Sequence, residues 1–482
     1  MHMAIRFSRN AINIAFVLML AGCSLLPDEN FPEYDFPPAT RNGTTLSEME
    51  HTLAGPPWWK QLNDPQLDNI VDEVLTSNRD LEVALANIEK AQSQIKAAQY
   101  SWMPTLGVQA GGIGAGGIDS SYQPRGSLSQ SSSLNNGLGR FSVAYAGFTP
   151  AYSLNVFEVI NQTKIAQASL ETQKAAYQST RVVLIGQATA AYLNLIIARK
   201  NLALQEHLIV LLKKNRSVSS VRFYSGSTDG SAIEQIDSRL RQANAQMNRY
   251  LEEISSLENA LHLLMGKPVG TLNTSRDPME IDPVQLIPKS LPVSILKDRP
   301  DMKMAESALI RAGAHVSLAN SAFFPSISIT GLLGGASLIL SNLFSSTGGA
   351  WMANGAITVD VLNPQKYSAI TSAKADHKAA YANYQQAVIS VFADVDNQLT
   401  GMQFANANYE EWMAVTLAQR RESQISLVRY QAGMADIRTR LEAEIKRIES
   451  NLSLNAAKQN QLAHLVSLFQ SFGSGYDYYP KK

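Results

Sequence analysis

Cysteine is almost absent from this chain. Among its 482 residues Cys23 is the single cysteine, so no intramolecular disulfide can form and no thiol elsewhere can serve as a nucleophile. The seven histidines are scattered, and none forms a pair at metal-ligand spacing on a helix. No other catalytic constellation stands out. The sequence therefore predicts a protein that is not an enzyme and that holds no metal or cofactor.

An excess of charge of either sign is also missing. Lys and Arg together number 41, and Asp and Glu together number 41, so the formal net charge is zero. Without a basic patch or an acidic tail there is no long-range attraction toward a polyanion. We therefore predict no nucleic-acid partner.

A phosphate-binding loop is excluded although the chain has one glycine-rich stretch, Gly112–Gly117. No helical pattern follows this stretch, and no Lys-Ser or Lys-Thr pair closes it, whereas phosphate loops need both. It is typical of the tip of a flexible hairpin.

Long hydrophobic runs are confined to the amino terminus. Arg6 and Arg9 precede an apolar run, Ile12–Leu20, that is too short for a permanent membrane helix. The pattern is that of a secretory signal peptide over residues 1–22. No other segment has the pattern of a transmembrane helix, so any membrane span must be made of strands.

The apolar run ends in Leu20-Ala21-Gly22-Cys23, which resembles the bacterial lipobox. This resemblance implies that Cys23 becomes the first mature residue and carries a covalent lipid, a diacylglyceryl group and an N-acyl chain. Ser24, where lipoproteins kept at the inner membrane commonly have Asp, favours the outer membrane. The alternative is an ordinary signal peptide in which Cys23 is accidental.

Proline and glycine are nearly missing from two very long stretches. Residues 161–222 contain no proline and the single glycine Gly186, and residues 365–430 contain no proline and the single glycine Gly401. About 60 helical residues extend about 90 Å. Helices of that length indicate coiled-coil packing or an extended tube.

The two long stretches belong to an internal repeat. Lys174-Ala175-Ala176-Tyr177 recurs as Lys378-Ala379-Ala380-Tyr381, and the Arg222–Gly226 segment corresponds to Arg429–Gly433. Each half has the pattern of helix, β-hairpin, very long helix, glycine turn and returning helix. A repeat of this length indicates a duplicated structural unit.

Alternating apolar and small or polar residues predict two strands in each repeat. The strands are expected at about residues 105–117 and 140–157 in the first repeat and at about 326–337 and 350–362 in the second. A single helix is expected from Asp64 to Trp102. The predicted organisation is a signal peptide (1–22), a lipidated arm lying over the body (23–65), the first repeat (66–266), a proline-rich link (267–296), the second repeat (297–470) and a loose tail (471–482).

The motifs, in this order, resemble the outer-membrane channel proteins of bacterial tripartite efflux pumps. These are the TolC-like factors, and the match is to their lipoprotein branch typified by OprM and NodT. The resemblance covers essentially the whole mature chain. Besides the lipobox, it is carried by Trp58-Trp59, Asp64-Pro65, Leu67, Asn78-Arg79-Asp80-Leu81, Asp298-Arg299-Pro300-Asp301, Phe323-Phe324-Pro325-Ser326-Ile327-Ser328 and Arg429-Tyr430-x-x-Gly433.

The resemblance implies a homotrimer. Its fold class is mainly α with a transmembrane β portion, in which three chains build one twelve-stranded β-barrel joined to a periplasmic α-helical barrel. The residues support this independently, because four strands cannot close a pore and open sheet edges are not tolerated in lipid. The implied partners are outer-membrane lipid, a periplasmic adaptor and an inner-membrane transporter. The implied function is a passive exit duct for small toxic molecules or drugs.

The resemblance also assigns roles to the residues near the two glycine turns. Arg222, Gly226, Arg429 and Gly433 would form the periplasmic tips that contact the adaptor. Of the residues that close the entrance in related channels, Glu442 keeps the carboxylate that follows the second glycine by nine positions, and Tyr430 matches a latching tyrosine.

Two positions depart from the family pattern. Arg438 replaces a leucine, and Thr439 replaces an inner carboxylate. Because Arg438 and Glu442 are spaced i,i+4 on one helix face, we expect them to pair within or between subunits and to form the gate. The alternative is an ordinary exposed pair with a small effect on stability.

Two other functions stay open from the sequence. One is an outlet for type I protein secretion, against which the lipobox argues because that use is commoner among members without lipid. The other is a lipid-anchored periplasmic structural protein with coiled-coil hairpins and no pore.

Overall fold

The computed structural model describes residues 45–47, 57–115, 141–227, 229–274, 276–286, 290–292, 297–337, 343, 349–360 and 362–478. The predicted signal peptide, Cys23 and most of the loop between the first two strands lie outside these residues. Structural statements below refer to the described part of the chain.

Helices dominate the described chain, with short 3₁₀ turns at Trp58–Leu62, Pro278–Glu280 and Val284–Leu286. In chain order the longer elements are β1 (Thr45–Ser47), α1 (Pro65–Ser77), α2 (Arg79–Tyr100), β2 (Thr105–Ala115), β3 (Phe141–Leu154), α3 (Val156–Tyr224), α4 (Ser231–Leu264), β4 (Ser290–Pro292), α5 (Pro300–Ser321), β5 (Ser326–Ser337), β6 (Gly349–Thr358), α6 (Pro364–Gln431) and α7 (Ile437–Ser471).

The helix expected from Asp64 to Trp102 is wrong in one respect, because the structure has two helices there. Asp64 caps α1 by accepting the amide of Gln66 at 3.0 Å. Asn78 interrupts the run with extended backbone. Its side chain accepts the amide of Asp80 at 2.8 Å and donates to the carbonyl of Leu264 at 2.8 Å, so Asn78 starts α2 and ties it to α4.

The first long helix begins earlier than expected, at Val156, the second begins at Pro364 close to its expected start, and both preceding strands end earlier than expected. α3 has 69 residues and α6 has 68. The reason is the same in both repeats. Asn155 accepts the amide of Glu158 at 3.2 Å, and Asn363 accepts the amide of Gln365 at 3.1 Å. Asn155 therefore initiates α3 directly after β3, and Asn363 initiates α6 after a short connection from β6.

The four long strands form one antiparallel sheet in the order β2-β3-β5-β6. A row of partners crosses all four strands: Val108 lies opposite Phe148, Phe148 opposite Leu333, and Leu333 opposite Trp351. This sheet belongs to a compact unit made of residues 91–169 and 309–380. β1 pairs in parallel with β4 in a second unit, made of residues 31–90, 170–308 and 381–482.

The core of the second unit brings together residues from near both ends of the described chain. Trp58 stacks on Phe469 with ring centroids 4.7 Å apart, and Trp59 meets Tyr478 edge to face at 5.3 Å. Both tryptophans are buried. The last part of the predicted arm is therefore inserted into the core and does not lie over it.

The carboxy-terminal segment is also fixed in this core, contrary to the loose tail that we expected. The buried guanidinium of Arg181 donates to the carbonyl of Tyr476 at 3.0 Å and to that of Tyr478. Lys60 donates to the hydroxyl of Tyr478 at 2.6 Å. These bonds hold the segment as far as Tyr478.

One described helix contains a window apolar enough to cross a membrane by length and composition. It lies in α3, and 72% of it is buried inside the protein. This corrects the expectation that no segment beyond residues 1–22 has the pattern of a transmembrane helix. Burial to this extent is what the core helix of a helical body shows.

Candidate functional site

The four-stranded sheet has two chemically different faces. Residues directly opposite in an antiparallel sheet share a face, so the register assigns every second residue to the same side. One face carries mostly large apolar side chains: Leu106, Val108, Phe148, Leu154, Ile327, Ile329, Leu333, Trp351 and Ile357. Among the residues whose side chains the structure describes, the other face carries Leu332, Met352 and Tyr145 and a larger set of hydroxyl and amide side chains: Thr105, Gln109, Thr149, Ser153, Ser326, Ser328, Thr330, Asn354 and Thr358.

The apolar face is exposed in the single chain. Val108 is 79% exposed and Trp351 is 78% exposed. A contiguous apolar surface of this kind marks contact with a membrane or with another protein. Alternation of apolar and polar residues over strands of about ten residues is the signature of a transmembrane β-sheet.

The two glycine turns have the same geometry. Gly226 and Gly433 both have φ of 74°, in the left-handed region that favours glycine. The amide of the residue after each glycine, Ser227 or Met434, returns to the carbonyl of Arg222 or Arg429 at 2.8 Å. These are Schellman-type ends, so each long helix stops and reverses at its predicted glycine.

Arg222 joins the two turns. Its guanidinium lies 2.7 Å from the carboxylate of Asp436, which precedes the first residue of α7. Both side chains are about two-fifths exposed. The contact links the end of the long helix of the first repeat to the start of the returning helix of the second.

The predicted pair near the second turn forms within α7. Arg438 Nε donates to Glu442 Oε1 at 2.9 Å, and both side chains are partly exposed. In the first repeat the matching positions are Ser231 and Gln235, which carry no charge. The pair therefore makes the second tip electrostatically different from the first.

Tyr430 and Arg429 are not part of that pair. The guanidinium of Arg440 lies over the ring of Tyr430, 5.4 Å from its centroid, which is a cation–π contact. Arg429 is exposed, and its side chain has no hydrogen bond or ion pair with another described residue.

Asp436 and its counterpart Asp229 are residues that sequence reasoning missed. Each follows its turn glycine by three positions, and that equal spacing is the signal that could have identified them. Asp229 accepts the hydroxyl of Ser231 at 2.7 Å, and this hydrogen bond lowers the pKa of the Asp229 carboxyl below its ordinary value. Asp229 is therefore a carboxylate at neutral pH.

Polar contacts between the two helices of each tip also correspond. Arg216 pairs with Asp237 in the first repeat. At the matching positions of the second repeat, Ser423 donates to Glu444 at 2.6 Å. The pKa of Glu444 is lowered, mainly by the hydrogen bond from Arg447. The two tips thus share a side-chain framework as well as a backbone.

A buried lysine secures the segment that links the repeats. Lys458 of α7 donates to the carbonyl of Ile281 at 2.6 Å and to Gln461 Oε1 at 2.9 Å, and its ammonium lies 4.7 Å from the ring centroid of Tyr409. Burial lowers the pKa of Lys458 to about 8, although nearby Asp282 acts in the opposite direction. This residue holds the link against the helical body.

The described residues contain no cluster of three or more His, Cys, Asp or Glu side chains that could hold a metal ion. What the geometry defines is instead a membrane-type sheet on one unit and a pair of charged helical tips on the other. Those are the parts of an outer-membrane channel.

Comparison with known proteins agrees with this class. The profile of the outer membrane efflux protein family matches residues 70–267 and 291–474, and the chain belongs to that family. This match confirms the expected family, function and outer-membrane location: the protein is an outer-membrane component of an efflux system.

Individual relatives cover nearly the whole chain. The solvent efflux pump outer membrane protein SrpC of Pseudomonas putida is 27% identical over 483 residues, which is 95% of this chain and 97% of SrpC. The probable outer membrane lipoprotein SilC of Salmonella typhimurium is 24% identical over 98% of this chain and 99% of its own length.

Solved structures share the fold. The open state of the Neisseria gonorrhoeae MtrE outer membrane channel superposes with a TM-score of 0.76 at 23% identity, covering 94% of this chain and 99% of MtrE. The expected fold class, a duplicated and mainly helical chain with a membrane sheet, is confirmed.

Proposed function

We propose that the protein is the passive exit duct of a three-component efflux system and that it works as a homotrimer. Three four-stranded sheets join into a twelve-stranded barrel in the outer membrane, and the helices of the three chains form a barrel in the periplasm. An inner-membrane transporter and a periplasmic adaptor deliver the solute, and the duct itself performs no chemical reaction.

The single observation that carries this proposal is the two-faced sheet with open edges. β2 and β6 are its outer strands, and neither has a partner on its outer side among the described residues. Unpaired strand edges are too costly to leave in a bilayer, and four strands are too few to enclose a pore. Edge pairing of β6 with β2 of another subunit removes both problems and turns the polar face inward.

The glycine turns are the proposed entrance. Arg222, Gly226, Arg429 and Gly433 lie at the two tips and present exposed or partly exposed groups for the adaptor. Arg438, Glu442 and Tyr430 form the proposed gate, because a charged pair repeated around a threefold axis places a ring of charge across the path of the solute.

Small toxic molecules are the proposed cargo. SrpC is named for solvent efflux, and this name supports small molecules of that kind as the cargo. Cys23 is the proposed lipid-attachment residue, and the name of SilC as a probable outer membrane lipoprotein supports this.

The test is reconstitution of the purified full-length protein. Native mass spectrometry should give three chains per particle, and planar bilayers should show discrete single-channel currents. Trimers without current, or monomers, would instead favour the periplasmic structural lipoprotein. Loss of secretion of a protein substrate on gene deletion, with unchanged sensitivity to toxic compounds, would identify a type I secretion outlet.

A further inference from the structure

Two arginines and two aspartates occupy equivalent positions at the tips. Arg222 and Arg429 each precede a turn glycine by four residues, and Asp229 and Asp436 each follow it by three. The backbone bonds of the two turns agree closely, at 2.9 and 3.0 Å for the glycine amides and 2.8 Å for the next amides. Arg429 can therefore make, with an equivalent aspartate, the same contact that Arg222 makes.

One of the two corresponding pairs is made inside the chain. Arg222 of the first repeat bonds Asp436 of the second at 2.7 Å. The reverse combination, Arg429 with Asp229, is not made within the described chain. Both side chains are exposed, and there the Asp229 carboxylate accepts hydrogen bonds but has no cation beside it.

A second cross-repeat contact follows the same direction. Arg239 of α4 pairs with Glu449 of α7 at 2.8 Å. The matching positions are Lys446 and Gln242, which are both accessible at the surface. Two independent contacts thus join a residue of the first repeat to a residue of the second. In both cases the residues at the matching positions of the opposite repeats do not contact each other within the described chain.

We propose that Arg429 forms an ion pair with Asp229 of the partner subunit. The proposal rests on the trimer described under Proposed function. In a ring of three duplicated chains, first and second repeats alternate, so the second repeat of one chain is followed by the first repeat of the next. The relation that joins Arg222 to Asp436 then joins Arg429 to the partner subunit's Asp229.

In the same arrangement, Lys446 contacts Gln242 of the partner subunit. Both contacts are heterologous, and they close after three subunits because the same step is repeated around one axis. An exposed ion pair contributes little binding energy, but oppositely charged groups across an interface fix its register. The pair therefore selects which tip of one subunit lies beside which tip of the next.

Thiol crosslinking tests the pairing directly, because Cys23 is the one cysteine and the wild type reports the background. The test variant carries Arg429→Cys and Asp229→Cys in one full-length chain. The reference variant carries Arg222→Cys and Asp436→Cys, whose contact is intrachain. Each single variant is a further control. Outer membranes are treated with a short bis-maleimide and analysed on denaturing gels.

The test variant should give covalent dimers and trimers, and the reference variant should stay at the mass of one chain with an internal crosslink found by peptide mass spectrometry. Native mass spectrometry of both variants distinguishes a trimer that lacks this ion pair from a protein that is not a trimer. Trimers in which the two introduced thiols of the test variant do not crosslink, while those of the reference variant do, would overturn the pairing alone. Monomers would overturn the pairing together with the proposed trimer.

Discussion

The side-chain amide of Gln470 occupies the space that a Cβ atom at position 186 would fill. The same arrangement recurs at Gly401, where a Cβ atom would lie 2.6 Å from the ring of His464. Gly186 and Gly401 are the lone glycines of the long helices α3 and α6, and both positions face α7. The absence of a side chain at each position lets α7 approach closely.

We expect Gly186→Ala to destabilise the protein by about 1–3 kcal/mol, because the added methyl group overlaps a packed side chain. That cost exceeds the gain of about 1 kcal/mol that alanine brings to an exposed helix. Denaturant unfolding followed by circular dichroism measures the change. Adding Gln470→Ala should recover much of the loss, and equal loss in the double variant would show that the overlap is not its cause. Gly401→Ala with His464→Ala is the matched pair.

Because of Lys458, the free energy of unfolding should vary with pH in the alkaline range. Its pKa is about 8 in the folded chain, against an ordinary value of 10.5, so between these values the unfolded chain binds the extra proton. The contribution of this group to the free energy of unfolding therefore rises as pH increases from about 8 to 10.5, and it is lost as pH falls back through the same window. Comparing wild type with Lys458→Met removes the contributions of other groups.

The difference in unfolding free energy between these two proteins should change across that pH window and stay constant at neutral pH and below. Lys213→Met, which removes an exposed lysine of α3, is the control variant. A parallel pH dependence of wild type and Lys458→Met would contradict the role of burial.

The two faces of the sheet should respond differently to charge. Ile329 and Thr330 are neighbours on β5 that point to opposite faces. Ile329→Lys places an ammonium in contact with lipid, at a cost of about 2–4 kcal/mol near the bilayer midplane. It should reduce the amount of assembled protein in outer-membrane fractions, whereas Thr330→Lys should assemble normally. Equal effects of the two changes would rule out the assignment of the faces.

The charged pair of the second tip should restrict the channel. Replacing both Arg438 and Glu442 by alanine should raise single-channel conductance in a planar bilayer, because it removes a ring of charged side chains from the proposed entrance. Ser231→Ala with Gln235→Ala alters the matching positions of the first repeat and should leave conductance unchanged. Wild-type conductance in the Arg438 and Glu442 variant would remove these residues from the gate.

Parts of the fold that rest on local chemistry could be predicted from the sequence. Gly226 and Gly433 end their helices because a left-handed residue is needed there, and strand alternation identified the hairpins. Boundaries were less accurate where a side chain fits two kinds of element. Asn155 and Asn78 fit a strand or helix pattern by sequence, and only their hydrogen bonds make them helix caps.

Contacts between distant residues could not be predicted. Arg222 and Asp436 are both tip residues, yet nothing in their local sequence states that the two tips meet. Trp58 and Trp59 were recognisable as a motif, but their burial depends on Phe469 and Tyr478 at the far end of the chain. The i,i+4 pair of Arg438 and Glu442 was predictable because one helix face contains both residues.

The packing of Trp58 and Trp59 against Phe469 and Tyr478 also sets an order of events in the cell. A chain exported from its amino terminus delivers the two tryptophans to the periplasm first and their partners last. Until export is complete, two large aromatic side chains remain without the surface that buries them. The aromatic pair near the amino terminus is therefore buried only once the whole chain is present, and a chain truncated before Phe469 lacks the rings that cover Trp58 and Trp59.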